Sequence, residues 1–343
     1  MNPRERVMAA LRREEADRIP IGELGIDRKV IAGFGKGYHD VADFALGEGL
    51  SLLTAIAHFD AVKTKADGSW IDEWGCTYAK TNEMVAHPIR GPVTIDTNLS
   101  TFEFPDPDAP QRLGELPLLI EKLKGKVAIN FHSRVAFMWS VYLMGMDSLL
   151  MSMAIEPEFA NELFTRVADV NIRMIRNAIR AGADTVSLGD DYCANKGPMM
   201  SPPMFRELLL PHLKRAVDVI HEEGAKCIKH CDGNLWPILD DMVGTGIDCI
   251  NPLEPVAGMD MAEVKAKYGD RVAIMGNIDC GALLSHGSER EAEEAVITCI
   301  QQGGPGGGLI ISSSNSIHSG VSPANYAVML NTIRSHGAYP IEQ

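Results

Sequence analysis

Lys229-His230-Cys231-Asp232-Gly233-Asn234 stands where an apolar run, residues 225–228, gives way to a stretch with helical patterning, residues 235–242. The same kind of junction recurs along the chain. Gly189-Asp190-Asp191, Asn251-Pro252-Leu253-Glu254, Gly276-Asn277-Ile278-Asp279-Cys280 and Ser312-Ser313-Ser314-Asn315 each close an apolar segment of strand length. Five strands that each end in a polar cluster predict an α/β fold, a (β/α)8 TIM barrel with its site at the mouth formed by the strand ends.

Around these junctions the periodicity predicts strands at 127–131, 185–189, 226–230, 248–252, 271–276 and 308–313. Helices are expected at 3–13, 156–181, 203–223, 235–245, 261–268, 289–302 and 323–336. Such alternation requires parallel strands joined by right-handed crossovers. Asn2 with Glu5, Asp260 with Glu263 and Ser288 with Glu291 have capping-box spacing, and Ser322-Pro323 places a cap before a first-turn proline. A short strand is expected at 19–23, and Asp67-Gly68 marks a hairpin turn inside the alternating stretch 62–78. Residues 94–110, rich in Asp, Pro and Thr, read as loop.

The chain of 343 residues exceeds the roughly 250 that such a barrel needs. It is read as one domain, 1–343, with an N-terminal elaboration and the first strands in 1–110 and the remaining βα units in 111–343. A net charge of −14 argues against nucleic acid and anionic membrane surfaces, which call for basic patches. Seven cysteines without framework spacing suggest reduced thiols and a cytoplasmic setting. The glycine run 303–308 precedes a strand and so lies at the end of the barrel away from the site.

Side chains two apart on a strand point the same way, so His230 and Asp232 can both face the mouth, as metal ligands or as an acid/base pair. In isolation, His-x-Asp is as easily a helix cap beside a structural histidine. Titratable groups at neighbouring junctions favour function. Glu254 is held between Pro252 and Pro255, and Asn277 and Asp279 repeat the spacing. Of Asp190 and Asp191 one can point inward, leaving the other solvated or salt-bridged. His318, past the last strand, is a third candidate ligand. Cys227 and Cys249 belong to the core, and Cys231 points outward to the helix layer.

Several segments resemble the uroporphyrinogen decarboxylase superfamily. They are Pro3-Arg4-Glu5-Arg6-Val7 leading to Asp17-Arg18-Ile19-Pro20, Gly197-Pro198-Met199-Met200-Ser201-Pro202, Asp232-Gly233-Asn234 and Gly276-Asn277. The resemblance implies a β/α barrel with one of two chemistries. One branch decarboxylates an octacarboxylic porphyrinogen; the other moves methyl groups to or from a corrinoid on a separate small protein, commonly with Zn²⁺ at the mouth. The decarboxylases carry an Arg-Gln-Ala-Gly-Arg run where this chain has Gly22-Glu23-Leu24-Gly25-Ile26-Asp27-Arg28, so the methyltransferase branch is the better match. Thiol-methylating members show His-x-Cys and a later cysteine where this chain has His230, Asp232 and Asn315, which hardens the site.

The expectation is therefore a methyltransferase that moves a methyl group from a methoxylated donor, an aryl methyl ether among the candidates, to Co(I) of a corrinoid protein. Its catalytic candidates are His230, Asp232, Glu254, Asp191 and Asn277, and its metal candidates are His230, Asp232 and His318, with Zn²⁺ as the ion. Expected partners are a corrinoid-binding protein and the small methoxylated substrate, with a homodimer open to it. The rivals are porphyrinogen decarboxylation and a small-molecule-binding barrel without catalysis.

Overall fold

Ile228 and His230 stand on one face of a strand whose other face carries Cys227 and Lys229, and the rest of the chain is arranged around that division. The computed structural model describes residues 1–81 and 86–341. The chain opens with α1 (Pro3–Leu11), α2 (Arg28–Gly33), α3 (Val41–Glu48) and β1 (Leu52–Ile56). A small antiparallel sheet follows: β2 (Ala61–Thr64), β3 (Trp70–Asp72), β4 (Thr77–Tyr78) and β5 (Pro88–Arg90). Then come α4 (Leu116–Leu123), β6 (Ala128–Ser133), α5 (Phe137–Met144), α6 (Met146–Ile155), α7 (Pro157–Ala181) and β7 (Thr185–Gly189). A two-stranded ribbon, β8 (Cys193–Ala194) and β9 (Gly197–Pro198), leads to α8 (Pro202–Leu208), α9 (Leu210–Glu222) and β10 (Lys226–His230). The chain continues with α10 (Leu239–Gly244), β11 (Cys249–Asn251), α11 (Met261–Tyr268), β12 (Ala273–Ile278), α12 (Leu283–His286), α13 (Glu289–Gly303), β13 (Leu309–Ser313) and α14 (Pro323–His336).

Seven of these strands form one curled parallel sheet in the order β1-β6-β7-β10-β11-β12-β13, with helices outside, as in TIM-like barrels. The short strand expected at 19–23 is reduced to isolated parallel bridges, Ile21 to Ile311 on β13 and Gly22 to Leu52 on β1. Those two residues are too short a run for a ladder, yet they touch both edges of the sheet.

Inside the curl, one end is apolar. Leu52, Ala128, Ile228, Cys249, Met275 and Ile310 form a buried cluster with Val7, Ala10 and Leu11 of α1, which plugs the amino-terminal ends of the strands. Two residues further along the same inward faces stand Thr54, Asn130, His230 and Asn251. The interior thus changes from apolar to polar along its axis, and the polar half opens at the strand ends.

The hairpin at Asp67-Gly68 forms as expected, β2 pairing antiparallel with β3 and Lys65 N–H donating to Ser69 O at 2.8 Å. The expected helix 203–223 is two helices, because Pro211 has no N–H to continue the ladder from α8. The capping boxes at Asn2/Glu5 and Ser288/Glu291 are complete. At Asp260 only the aspartate half forms, accepting the Glu263 N–H.

Candidate active site

Asn251 orients His230. The Asn251 amide nitrogen donates to Met275 O at 3.0 Å, which turns its carbonyl oxygen toward His230 Nδ1 at 2.6 Å. An amide oxygen can only accept, so Nδ1 carries a proton. His230 Nε2 then faces Asp232 Oδ1 at 3.3 Å and Asp191 Oδ1 at 3.8 Å. Asp232 is held by its other oxygen, which accepts from Asn315 Nδ2 at 2.8 Å, while its backbone N–H donates to Asp191 Oδ1 at 3.1 Å. Asp232 Oδ1 itself is buried with no hydrogen-bond donor among the described residues.

Three potential ligand atoms, one each from Asp191, His230 and Asp232, lie within 4.8 Å of one another. A neutral imidazole with its proton on Nδ1 aims the Nε2 lone pair at two carboxylates, an arrangement relieved by a proton on Nε2 or by a cation among the three groups. The nitrogen–oxygen–oxygen donor set and the unpartnered Asp232 oxygen fit a divalent ion such as Zn²⁺. Burial is the largest influence on Asp232. It pushes the carboxyl up to about 6, with Asp191 and Glu254 adding to the rise and His230 and Asn315 opposing it. Beneath this cluster, buried Lys229 donates to the carbonyls of Leu188, Asp190 and His230 at 3.2, 2.7 and 2.5 Å and lies 4.5 Å from the centre of the Tyr192 ring. Its three hydrogen bonds tie together the ends of β7 and β10, which lead into Asp191 and Asp232.

The cluster opens into a cavity of about 640 Å³. Part of its wall is aromatic: Phe59, Trp70, Tyr78, Trp139 and Tyr142. Trp70 stacks on Tyr78 at 5.1 Å, and Trp139 stacks on the buried Trp74 at 4.5 Å and meets Phe59 edge-on at 5.0 Å. Asp72 fixes this wall by accepting the Tyr78 hydroxyl and the Trp74 and Cys76 N–H groups. His132 and Arg134 complete the lining from the end of β6. Arg134 donates to Gly189 O at 2.6 Å and to the Tyr142 hydroxyl at 2.9 Å. Burial is the main cause that holds the His132 imidazole well below the usual histidine range; the charges of Arg134, His230 and Lys229 reinforce it.

Other cavities of comparable size occur among the described residues. One of about 770 Å³ lies between residues 23–42 and α4 and adjoins the first at Leu24, Ile56 and His58. Another, about 520 Å³, lies outside the strand wall between α11 and α13. The cavity at the strand ends is the one containing the three convergent ligand atoms.

The structure redistributes the sequence candidates. His230, Asp232 and Asp191 meet. Glu254 stands behind them, its Oε2 accepting the Gly233 N–H at 2.7 Å, so it positions the turn and adds negative charge. Asn277 lines the outer cavity with Cys299, because Gly276 at φ +153° interrupts the alternation that turns Ala273 and Met275 inward. Asp279 caps the turn into α12, accepting from Gly281, Ala282 and Leu283 N–H. His318 accepts the Gly320 N–H and is absent from the cluster; the turn of the chain after β13 brings in Asn315 instead. Among the described residues Asp190 has no ion pair, and it is not solvated; it is buried and caps α5 from the end of β7, the strand next to β6. Sequence reasoning passed over His132, Arg134 and the aromatic wall. The two-residue spacing that singled out His230 and Asp232 is repeated in Asn130, His132 and Arg134 at the end of β6, and could have found them.

Residues 77–336 match the family model described as uroporphyrinogen decarboxylase (URO-D). The chain belongs to the uroporphyrinogen decarboxylase family. Among this family's curated members, uroporphyrinogen decarboxylase of Sodalis glossinidius is 26% identical over 65% of this chain and 64% of its own length, slightly under two thirds. That of Aliivibrio salmonicida is 25% identical over 71% of this chain and 69% of its own length. A solved methyltransferase from Methanosarcina mazei superposes with a TM-score of 0.78 at 17% identity, covering 98% of this chain and 99% of that one. A B12-independent methionine synthase from Shewanella sp. W3-18-1 follows at 0.54 and 12%, covering 93% of this chain and 96% of that one. At these identities the superpositions establish the shared fold of the uroporphyrinogen decarboxylase family member described here. Among the described residues no single helix is long and apolar enough to cross a membrane.

Proposed function

We propose that this protein is a methyltransferase that moves a methyl group from a methoxylated compound to the Co(I) centre of a corrinoid carried by a separate protein, which docks over the strand-end mouth. The carrying observation is the convergence of Asp191, His230 and Asp232, with an oriented imidazole and an unpartnered carboxylate oxygen, beneath an aromatic-walled cavity. In this reading the bridges at Ile21 and Gly22 stand in for the eighth strand of a (β/α)8 barrel.

Expelling an alkoxide or phenoxide from a methyl carbon is the difficult part of such a transfer. A cation held by Asp191, His230 and Asp232, Zn²⁺ by its donor set, would supply Lewis acidity for the charge that develops on the leaving oxygen. The protein's own contribution is orientation. Asn251 fixes the imidazole, Asn315 and the Asp232–Asp191 contact fix the carboxylates, and the aromatic wall packs the organic part of the donor while displacing water.

The name borne by the curated relatives suggests decarboxylation of a porphyrinogen. Against it, Asp191 and Asp232 face the cavity, Glu254 lies close behind, and Arg134 is the single arginine lining it among the described residues, a poor match for eight substrate carboxylates. The Methanosarcina protein that shares this fold is a methyltransferase, which supports the first reading.

Incubation with a panel of methoxylated donors and a Co(I) corrinoid protein should convert the cobalt spectrum to that of methyl-Co(III). His230→Ala and Asp232→Asn should each slow the conversion roughly 10²-fold or more. Protein purified without chelator should contain about one zinc per chain, lost in His230→Ala. No conversion with a carrier proven competent elsewhere, or turnover of the octacarboxylic porphyrinogen, rejects the proposal.

A further inference from the structure

His132 shares the cavity with His230, the two rings 6.1 Å apart and nearly perpendicular, and the hydrogen-bond network beneath it determines which of its nitrogens carries the proton. Thr54 spends its one hydroxyl proton on the Glu23 carbonyl at 2.9 Å, an acceptor that can give nothing back. The contact between Thr54 Oγ1 and Asn130 at 3.1 Å must therefore be donated by the Asn130 amide nitrogen. The opposite edge of that amide agrees, since its oxygen accepts the Thr185 hydroxyl at 2.9 Å. The same Asn130 nitrogen donates to Ser187 Oγ at 2.8 Å, and Ser187 Oγ lies 2.9 Å from His132 Nδ1. Ser187 is fully buried and has no other acceptor for its proton among the described residues, so its hydroxyl donates to Nδ1. A lone pair at Nδ1 puts the ring proton on Nε2.

Among the described residues Nε2 has no hydrogen-bond partner, and the ring is half-buried with its remaining exposure to the cavity. Gly189 makes this placement possible, because a Cβ there would lie 2.3 Å from His132 Cε1 and 2.5 Å from Nε2. The neighbouring cation, Arg134, has donated to Gly189 O and the Tyr142 hydroxyl. The two histidines are thus set in opposite senses: His230 turns a lone pair toward the carboxylates, and His132 has its N–H free in the cavity wall.

We propose that His132 is a neutral hydrogen-bond donor to the ether oxygen of the methyl donor, its proton fixed on Nε2 by the Thr54–Asn130–Ser187 network. This rests on the methyl-transfer reading of the same cavity. As the methyl carbon bonds to cobalt, whose electron pair forms the new bond, the carbon–oxygen bond breaks and its pair remains on oxygen. His132 lends that oxygen a hydrogen bond and keeps its own proton; the product oxygen is neutralised by a proton from water. Sulfur accepts such hydrogen bonds poorly, so the arrangement selects an ether over a thioether.

The test has two arms, neither needing turnover. In ¹⁵N-histidine-labelled protein, with the His132 signals assigned by their loss in His132→Gln, Nε2 should be protonated and Nδ1 unprotonated at neutral pH. The reverse pattern, or protonation of both, overturns the assignment. In the second arm, quenching of the cavity tryptophans is titrated with guaiacol and with 2-ethylphenol, which replaces the ether oxygen by a methylene. Guaiacol should bind roughly 2- to 10-fold more tightly, the worth of one ordinary hydrogen bond. The gap should close in His132→Phe, persist in part in His132→Gln and shrink in Ser187→Ala, which leaves the ring in place but frees its tautomer. Equal affinity in the unaltered protein, no guaiacol binding, or a gap that survives His132→Phe overturns the role. If the protonation pattern and the gap hold while no methyl reaches cobalt, the donor stands and the methyl-transfer reading falls.

Discussion

Glu23 ends the segment that bridges the two edges of the sheet, and its carboxylate is turned into the wall, where it accepts the Ser313 hydroxyl at 2.6 Å and the Ser313 N–H at 3.2 and 3.3 Å. Burial outweighs these hydrogen bonds and pushes the carboxyl up to about 8 from an ordinary 4.5. Between those two values the unfolded chain has lost this proton and the folded chain keeps it. The contribution of Glu23 to folding stability therefore falls as pH rises from about 4.5 to about 8 and levels off above. Each pH unit in that window is worth at most about 1.4 kcal/mol, so water penetration or local relaxation can only reduce the slope. Glu23→Gln, which cannot ionise, should remove this contribution and become the more stable protein at the alkaline end. Urea unfolding of both proteins from pH 5 to 8.5 measures it; a stability difference that does not change with pH contradicts the buried, protonated acid.

At the scale of elements, α5 depends on a residue 50 or so positions away. Its own N-terminus offers no side-chain cap, and Asp190 supplies one: Oδ2 accepts the N–H groups of Val135, Ala136 and Phe137 at 3.2, 2.8 and 3.1 Å, and Oδ1 accepts Met138 N–H at 3.0 Å. Asp190→Ala would leave these donors buried and unpaired, at a cost of about 3 kcal/mol or more, whereas Asp190→Asn keeps one acceptor and should lose less. Chemical denaturation ranks the pair, and equal losses would show that the carboxylate is not the cap. Such long-range partnerships explain what the sequence did and did not disclose. The strands β7, β10 and β13 were legible almost to the residue because β-branched and apolar runs there are bounded by polar junctions. Residues 137–155, apolar without a helical period, gave no sign of α5 and α6. Leu52–Ile56, the first strand of the sheet, has no turn signal to frame it. His230 and Asp232 could be paired from their spacing alone, but Asn251, Asn315 and His132 join them through tertiary closure that no local pattern reports. Asn277 shows the converse, since a correct strand was extended through a glycine that breaks its alternation.

For the molecule as a whole, the interior of the sheet is divided between stability and chemistry along its axis. At the amino-terminal end α1 buries Val7, Ala10 and Leu11 against Leu52, Ala128, Ile228 and Ile310; at the other end His230, Asp232 and Asp191 face the cavity. Plug and site are linked through β10, which carries both Ile228 and His230 on one face, and through Met275, whose side chain packs in the plug and whose carbonyl accepts the Asn251 amide. Leu11 has no solvent exposure, so Leu11→Ala should open a hole in the plug and cost roughly 2–5 kcal/mol, read as a lowered unfolding midpoint. The site should be indifferent to that loss, with zinc content per folded chain and the affinity for guaiacol unchanged at temperatures well below the transition. Leu11 touches none of the three site side chains through a hydrogen bond or ion pair, and substitutions without shared partners ordinarily add without coupling. A fall in either quantity that tracks the loss of stability would mean that the strands transmit the state of the plug to the mouth, and that the two halves of the interior act as one unit.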